Sequence, residues 1–365
     1  MSKNKTYKFE PDYAIHPGEI LEETLEARDI LQRELADRCG LTAKTVSQII
    51  NRKASVTPET SLQFEKVLGI SADIWNNLDS NYRLHTARTE KAVEIEKLSS
   101  WLDKFPKGTL SILKKKQVIS DPKNISKTVN ELLSFFRVAK LDAWNKYYGD
   151  IAATFRKSPA YESNPGSIAA WLRMAENIAE GIETKSFNSK KFMDALLDIR
   201  RLTNERPESF QPKITSLCSE AGVSFVVLQE FPKTRLHGAT RWINKHKAML
   251  ALTVRYKFEG QFWFSFFHEA AHILKHEKTR VFIDHEKTRL GVLEEEADKF
   301  AEDFLIPEKE YLRFITFRDF SREAILKFSQ SIGISPGIVV GRLHHDKLIH
   351  YSKQTDLKKR FEIRD

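Results

Sequence analysis

The residues best equipped for chemistry lie in the run Trp263-Phe264-Ser265-Phe266-Phe267-His268-Glu269-Ala270-Ala271-His272-Ile273-Leu274. Its His-Glu-x-x-His spacing puts His268 and His272 one helical turn apart on the same face. Both can bind a single zinc ion there, while Glu269 can act on a water molecule beside it. From Gln261 to His276 the segment is apolar nearly all round, as in a helix buried inside a domain. The exceptions Gln261, Ser265, His268, His272 and His276 recur at helical spacing and form one polar stripe. Histidines on a buried helix are costly unless something binds them. A zinc ion would do so; the alternative is a pair of core histidines hydrogen-bonded to backbone carbonyls.

A zinc site needs a third protein ligand. Residues 293–305 read as an amphipathic helix ended by Pro307, with Leu293, Ala297, Phe300, Ala301, Phe304 and Leu305 as its apolar face. At about 100° per residue, Glu294 falls roughly 60° from the centre of that face, Glu296 about 100° and Glu295 about 160°. Glu294 is therefore the carboxylate best aimed at the interior, and Glu295 is a solvated charge. Asp298, one turn beyond Glu294, is placed to hydrogen-bond a ligating histidine.

The H-E-x-x-H helix, then E-x-E-A-D-x-F-A from Glu294 to Ala301 with Ile306-Pro307 closing the second helix, resembles the ImmA/IrrE family of zinc metallopeptidases. The resemblance continues through residues 238–242 and 334–343 and covers roughly the last 150 residues, about one domain. It implies a thermolysin-like site in enzymes that cut transcriptional repressors, with His268, His272 and Glu294 on Zn2+ and Glu269 as general base. It also implies that residues 238–242 form an edge strand that binds substrate in extended form.

A chain of 365 residues has room for two or three domains. Its hydrophobic fraction of 41% and charged fraction of 30% are those of a soluble globular protein. The net charge of +9 favours a polyanionic partner such as double-stranded DNA. Cys39 and Cys218 stand far apart, which argues against a disulfide framework and against a thiolate zinc site. Residues 1–17 lack a signal-peptide core, and no apolar run approaches the length of a membrane span. The expected compartment is a reducing cytoplasm, with no membrane partner.

The N-terminal elements carry a second kind of chemistry. After an irregular arm, residues 32–50 supply Leu35, Ala36, Leu41, Val46, Ile49 and Ile50 as the core of a helix-turn-helix. Gly40 allows the tight turn, and Thr42 is a natural N-cap for the second helix. The outward side chains of that helix are Ala43, Lys44, Thr45, Ser47 and Gln48, short and polar or basic, which suits a major groove. Gln32, Arg52 and Lys53 are positioned to hold phosphates. The alternative is a small helical bundle that binds protein. Residues 16–83 also resemble the HigA-type antitoxin helix-turn-helix, through His16-Pro-Gly-Glu-Ile-Leu, the 32–53 core, Val56-Thr-Pro-Glu-Thr, Leu68-Gly-Ile-Ser and Trp75-Asn-Asn-Leu. That resemblance implies autoregulatory DNA binding, a homodimer and a cognate toxin partner. Ala43 departs from it, standing where a longer base-reading side chain is expected.

Between these ends, residues 90–210 read as strongly helical, with Trp144, Tyr147, Tyr148, Trp171 and Leu172 as core. Residues 223–229, 239–244 and 248–254 read as three strands leading into the zinc helix. Residues 328–343 repeat the helix-turn-helix spacing, with Gly333, Ile334 and Ser335 in the places of Gly40, Leu41 and Thr42. Their outward positions Pro336, Gly337 and Gly341 cannot read bases, so the segment reads as packing architecture. Of His344, His345, His350 and Tyr351, any one could stabilise an oxyanion. His276 and His285 read as surface histidines.

The expected fold is mainly α with a small β-sheet, α+β. It comprises a DNA-binding helix-turn-helix domain over 1–85, a helical connector over 86–210, a minimal zinc peptidase domain over 211–352 and a tail over 353–365. The expected function is an antitoxin-like transcriptional regulator carrying a zinc-dependent endopeptidase that cleaves a repressor or another DNA-associated regulator. The alternative is an autoregulatory regulator whose metal domain is a non-proteolytic sensor or scaffold.

Overall fold

The computed structural model describes residues 13–97, 99–149, 163–253, 258–278, 282–285 and 291–360. The chain divides into two compact units, Met1–Ser99 and Ser100–Asp365.

In the first unit the turn chemistry of the sequence is realised residue by residue. Five helices follow one another: α1 (Pro17–Ala27), α2 (Gln32–Cys39), α3 (Ala43–Ile50), α4 (Pro58–Leu68) and α5 (Ala72–Lys97). His16 opens α1, its ring nitrogen accepting the Gly18 N–H at 2.9 Å. Gly40 closes α2 at φ 65°, a left-handed conformation that costs a side chain dearly. The Thr42 hydroxyl then accepts the Thr45 N–H at 3.0 Å and starts α3. Leu35, Ala36, Val46, Ile49, Phe64 and Trp75 are buried in the resulting core, with Leu41 packed partly against it.

The second unit is built round a sheet whose described strands are β1 (Val223–Leu228), β2 (Leu236–Asn244), β3 (Lys247–Thr253) and β4 (Phe282–His285), in the order β1-β3-β2-β4. β3 runs parallel to β1 and antiparallel to β2, and β4 is antiparallel to β2. Val254, expected at the end of the third strand, lies outside the described residues. Every residue of β3 from Ala248 to Leu252 is fully buried. Such a strand needs helices on both faces. Pleating sends neighbours of β2 to opposite sides. Thr240 meets the helix Glu259–Lys275, which carries the H-E-x-x-H motif, while Arg241 pairs with Glu176 on the helix Pro165–Gly181.

From Ser100 onward the region read as a connector is part of this unit and grips the sheet, while residues 86–97 continue α5 of the first unit. The Trp171 indole N–H donates to the Gln229 carbonyl at 3.1 Å, and the Ser224 hydroxyl to that of Ala179 at 3.1 Å. From the helix Ser189–Arg201, the Arg200 guanidinium donates to the Phe304 and Leu305 carbonyls at 2.7 and 2.9 Å. Those carbonyls end the helix Val292–Leu305 and would otherwise lack partners. Trp144, Tyr148, Trp171 and Leu172 are buried as expected. Tyr147 is not: it is 61% exposed.

The helices Arg322–Ile332 and Pro336–His345 are packing architecture, with Ile334, Ile338, Val339, Val340 and Leu343 in the same core as Phe262 and Trp263. One expectation fails. Residues 238–242 are not an edge strand, because β4 pairs with β2 from Leu236 to Thr240 and covers the side away from β3. The four-residue β4 is too short to show a period in the sequence. The fold as a whole is mainly α with a small sheet, α+β. Among the described residues no single helix is long and apolar enough to cross a membrane.

Candidate functional site

The helix Glu259–Lys275 buries Phe262, Trp263, Phe266, Phe267, Ala270 and Ile273, so its polar stripe is carried into the interior with it. His268 and His272 are 0% and 2% exposed. The helix Val292–Leu305 packs alongside and turns Glu294 toward them, with Glu295 exposed. His268, His272 and Glu294 form one cluster of possible metal ligands. The two histidine Nε2 atoms are 3.1 Å apart, and Glu294 Oε2 lies 3.2 Å from the first and 3.7 Å from the second. Donors on a tetrahedral ion at zinc–ligand distances would stand roughly 3.3 Å from one another. The three side chains therefore fit such an ion without rearrangement.

Charge in the cluster is already that of a ligand set. Burial raises the Glu294 carboxyl, but the His268 and His272 rings beside it outweigh that and bring its pKa down to about 2. Burial lowers the His272 pKa below its ordinary value, the direction that favours the neutral ring a metal ligand needs.

Each imidazole is held from behind. His268 Nδ1 donates to Asp298 Oδ1 at 2.8 Å, as the helical spacing anticipates. His272 Nδ1 is 2.8 Å from His276 Nδ1, and His276 Nε2 is 3.3 Å from Glu296 Oε2. With a metal bound, His272 would donate to His276 and His276 to Glu296, leaving His272 Nε2 to the ion. The surface reading of His276 is thus corrected, since its side chain is only 2% exposed. It was the last member of the polar stripe, and that periodicity was the available signal. His285 lies in β4, and its side chain falls outside the described residues.

Glu269 is fully buried where its helix meets β2. The Thr240 hydroxyl donates to its Oε2 at 2.6 Å and approaches its backbone carbonyl at 3.0 Å. Gly238, two residues earlier on the same face of β2, makes room: a Cβ there would stand 2.8 Å from Glu269 Oε1. Neither Thr240 nor Gly238 could be linked to Glu269 from local spacing, because β2 and the helix meet only in the folded chain. Of the four C-terminal candidates, the buried His344 is committed to Lys353 and Lys358, His345 to Asp346 and His350 to Ser352, while Tyr351 is 67% exposed.

On α3 of the first unit, Lys44 is exposed and Thr45, Ser47 and Gln48 are half-buried; Gln32, Thr42, Arg52 and Lys53 are exposed. Thr42 is engaged as the cap, its hydroxyl 2.8 Å from that of Thr45. Arg52, at φ 60°, pairs with Glu19 at 2.7 Å.

A model of the helix-turn-helix family matches residues 21–75, and a model of the IrrE N-terminal-like domain matches residues 218–344. The chain belongs to the helix-turn-helix family and carries an IrrE-like domain. Over the helix-turn-helix part it is 33% identical across 82 residues to YddM of Escherichia coli (strain K12), described as an uncharacterized HTH-type transcriptional regulator, covering 22% of this chain and 85% of that protein. It is 32% identical across 79 residues to virulence-associated protein I of Dichelobacter nodosus, covering 21% of this chain and 73% of that protein. Among solved structures, it is similar to an addiction module antidote protein of the HigA family from Coxiella burnetii, at 33% identity and a TM-score of 0.21, covering 23% of this chain and 91% of that one. The structure of antitoxin GraA is similar at 31% identity and a TM-score of 0.22, covering 23% of this chain and 90% of that one.

Proposed function

We propose that this chain is a cytoplasmic DNA-binding regulator whose IrrE-like domain is a zinc-dependent endopeptidase acting on a repressor or another DNA-associated protein. Residues 1–85 are its DNA-binding part, 86–210 a helical clamp, 211–352 the peptidase and 353–365 a tail. The observation that carries the reading is the convergence of His268, His272 and Glu294 with Glu269 buried beside them.

His268, His272 and Glu294 would hold the metal, and Asp298 and the His276–Glu296 pair would keep the two imidazoles in the ligating tautomer. When bound, zinc supplies Lewis acidity toward a peptide carbonyl and a water molecule. Glu269 takes the proton of the attacking water and delivers it to the leaving amine. Thr240 fixes the carboxylate for that task through Oε2. A non-catalytic metal scaffold needs the ligands but not a buried, oriented glutamate.

In the first unit, Lys44, Thr45, Ser47 and Gln48 would face the major groove, with Gln32, Arg52 and Lys53 on phosphates. The relationship to a protein described as a transcriptional regulator supports this. The same reading makes a second copy of the chain and a toxin protein its expected partners. Tethering a peptidase to a DNA reader raises its effective concentration toward proteins bound at the same operator. The substrate is then a co-bound regulator, or this chain's own antitoxin-like domain, cut in an exposed loop.

The scaffold reading has one observation in its favour: β4 fills the side of β2 where a substrate strand was expected, so an extended substrate would have to pair with the outer edge of β4. Glu269→Gln separates the two. It should keep zinc and DNA binding but stop cleavage, which is checked by following operator transcription and blotting the bound regulators for fragments in induced cells. Identical fragments and transcription in both versions would leave the scaffold reading standing.

A further inference from the structure

A cleft of about 490 Å³ opens beside the metal centre. It is bordered by Asp298, which holds His268, and by Phe264 and Ser265, one turn before His268 on the same helix. Ile338, Arg342 and His344 of the helix Pro336–His345 line it too, with Phe258 and Lys358. Sharing Phe264, Ser265 and Asp298 with the surroundings of His268, the cleft is the candidate to receive the side chain next to a scissile bond held at the metal.

The charges of the lining are unevenly matched. Asp298 is engaged with His268. Arg342 sits between Glu302 and Asp346, at 2.8 Å from each. Lys358 is different. Its ammonium contacts His344 Nδ1 at 2.8 Å and lies over the Phe258 ring at 5.6 Å, and among the described residues it pairs with no carboxylate. His344 brings no compensating charge. Its Nε2 is 3.0 Å from the Lys353 carbonyl, which fixes that nitrogen as the donor and leaves Nδ1 to accept from Lys358. Burial pushes the Lys358 ammonium's pKa down, the mark of a cation that has lost water without gaining an anion. Arg360, over the same Phe258 ring at 5.3 Å, adds a second positive charge nearby.

We infer that this cleft is the specificity subsite of the peptidase and that it takes a substrate side chain ending in a carboxylate, with Lys358 as its counter-charge. Phe258, Phe264 and Ile338 cover the methylenes of such a side chain, and the half-buried ammonium recovers at its end the partner it lacks. The inference rests on reading the metal centre as that of a peptidase.

The test uses binding to the zinc-loaded full chain and so does not depend on turnover. The α-hydroxamates of N-acetyl-glutamate, N-acetyl-glutamine and N-acetyl-leucine each anchor on zinc through the same group and differ only in the side chain offered to the cleft. Titration calorimetry should give the glutamate compound about tenfold tighter binding than the glutamine compound, the size of one charge-assisted hydrogen bond. Lys358→Gln should abolish that preference, and Lys358→Glu should reverse it. Equal affinity for all three compounds in the unmutated protein, or a glutamate preference that survives both substitutions, overturns the inference. Acetohydroxamate, which has no side chain, reports on the metal centre by itself. If the zinc-loaded protein fails to bind it, the reading of the metal centre falls, and this inference with it.

Discussion

Two parts of this chain fold into the same local shape and end in opposite surroundings. In the first unit, α2 ends at Gly40 with φ 65°, Leu41 follows, and Thr42 precedes α3. In the second, the helix Arg322–Ile332 ends at Gly333 with φ 72°, Ile334 follows, and Ser335 precedes the helix Pro336–His345. The difference lies in the second helix of each pair. Ala43 and Lys44 stand in solvent at the start of α3, whereas Gly337, Ile338, Val339, Val340 and Leu343 are buried against the helix Glu259–Lys275. A left-handed glycine, an apolar residue and a hydroxyl side chain thus specify a turn between helices. What the turn is used for depends on whether the next helix keeps a wet face.

The contrast can be pushed hardest with a buried charge. Val339→Asp puts a carboxylate at a fully buried site in the core of the second unit and should cost at least about 4 kcal/mol, read as a loss of thermal stability together with metal uptake. Lys44→Glu, at the second residue of its own helix, should leave stability within about 0.5 kcal/mol, because that side chain touches mostly water. Comparable losses at both positions would mean that α3 is a packed helix and not a free face.

The next effect is on binding. Replacing Lys44 and Gln48 with Ala should weaken a specific operator by about 1–3 kcal/mol for each base no longer read. In a salt titration of binding, Arg52→Ala should lower affinity for all sequences and reduce the salt slope by about one unit. Unchanged operator affinity in the double variant would remove α3 from the groove. The smallest effect should be shared by the two motifs. A Cβ at Gly40 or at Gly333 would meet nothing within 4 Å, so each glycine→Ala change carries only the strain of the left-handed backbone. Denaturant unfolding should show about 1–2 kcal/mol lost at either position. A much larger loss at Gly333 would show that its role goes beyond the turn.

How much of this was readable in advance follows the reach of the interactions. His268, His272, Glu294 and Asp298 were legible because helical periodicity fixes which side chains share a face, and both helices keep that periodicity. Gly40 and Thr42 were legible because their roles are complete within a few residues. Glu269's partner Thr240 was hidden, since it lies 29 residues away across a strand–helix contact. β4 was hidden because four residues carry no pattern, and with it the fact that β2 is covered. His276 was misjudged for a different reason. It sits just past the last turn of its helix, where exposure is the usual outcome, but the Phe282 ring packs against it at 5.1 Å and stacks on His272 at 4.1 Å. Nothing local announces a phenylalanine arriving from a strand.

The central claim, that the second unit holds a metal through two helices, is tested most directly by metal content. Purified full-length chain, loaded with zinc and freed of excess, should carry about one zinc per chain by elemental mass spectrometry. His268→Ala, His272→Ala and Glu294→Ala should each empty the site, while Glu295→Ala, on the exposed side of the same helix, should keep it full. Zinc retained in Glu294→Ala but lost in Glu296→Ala would contradict the assignment, because among the described residues Glu296 meets the cluster through His276.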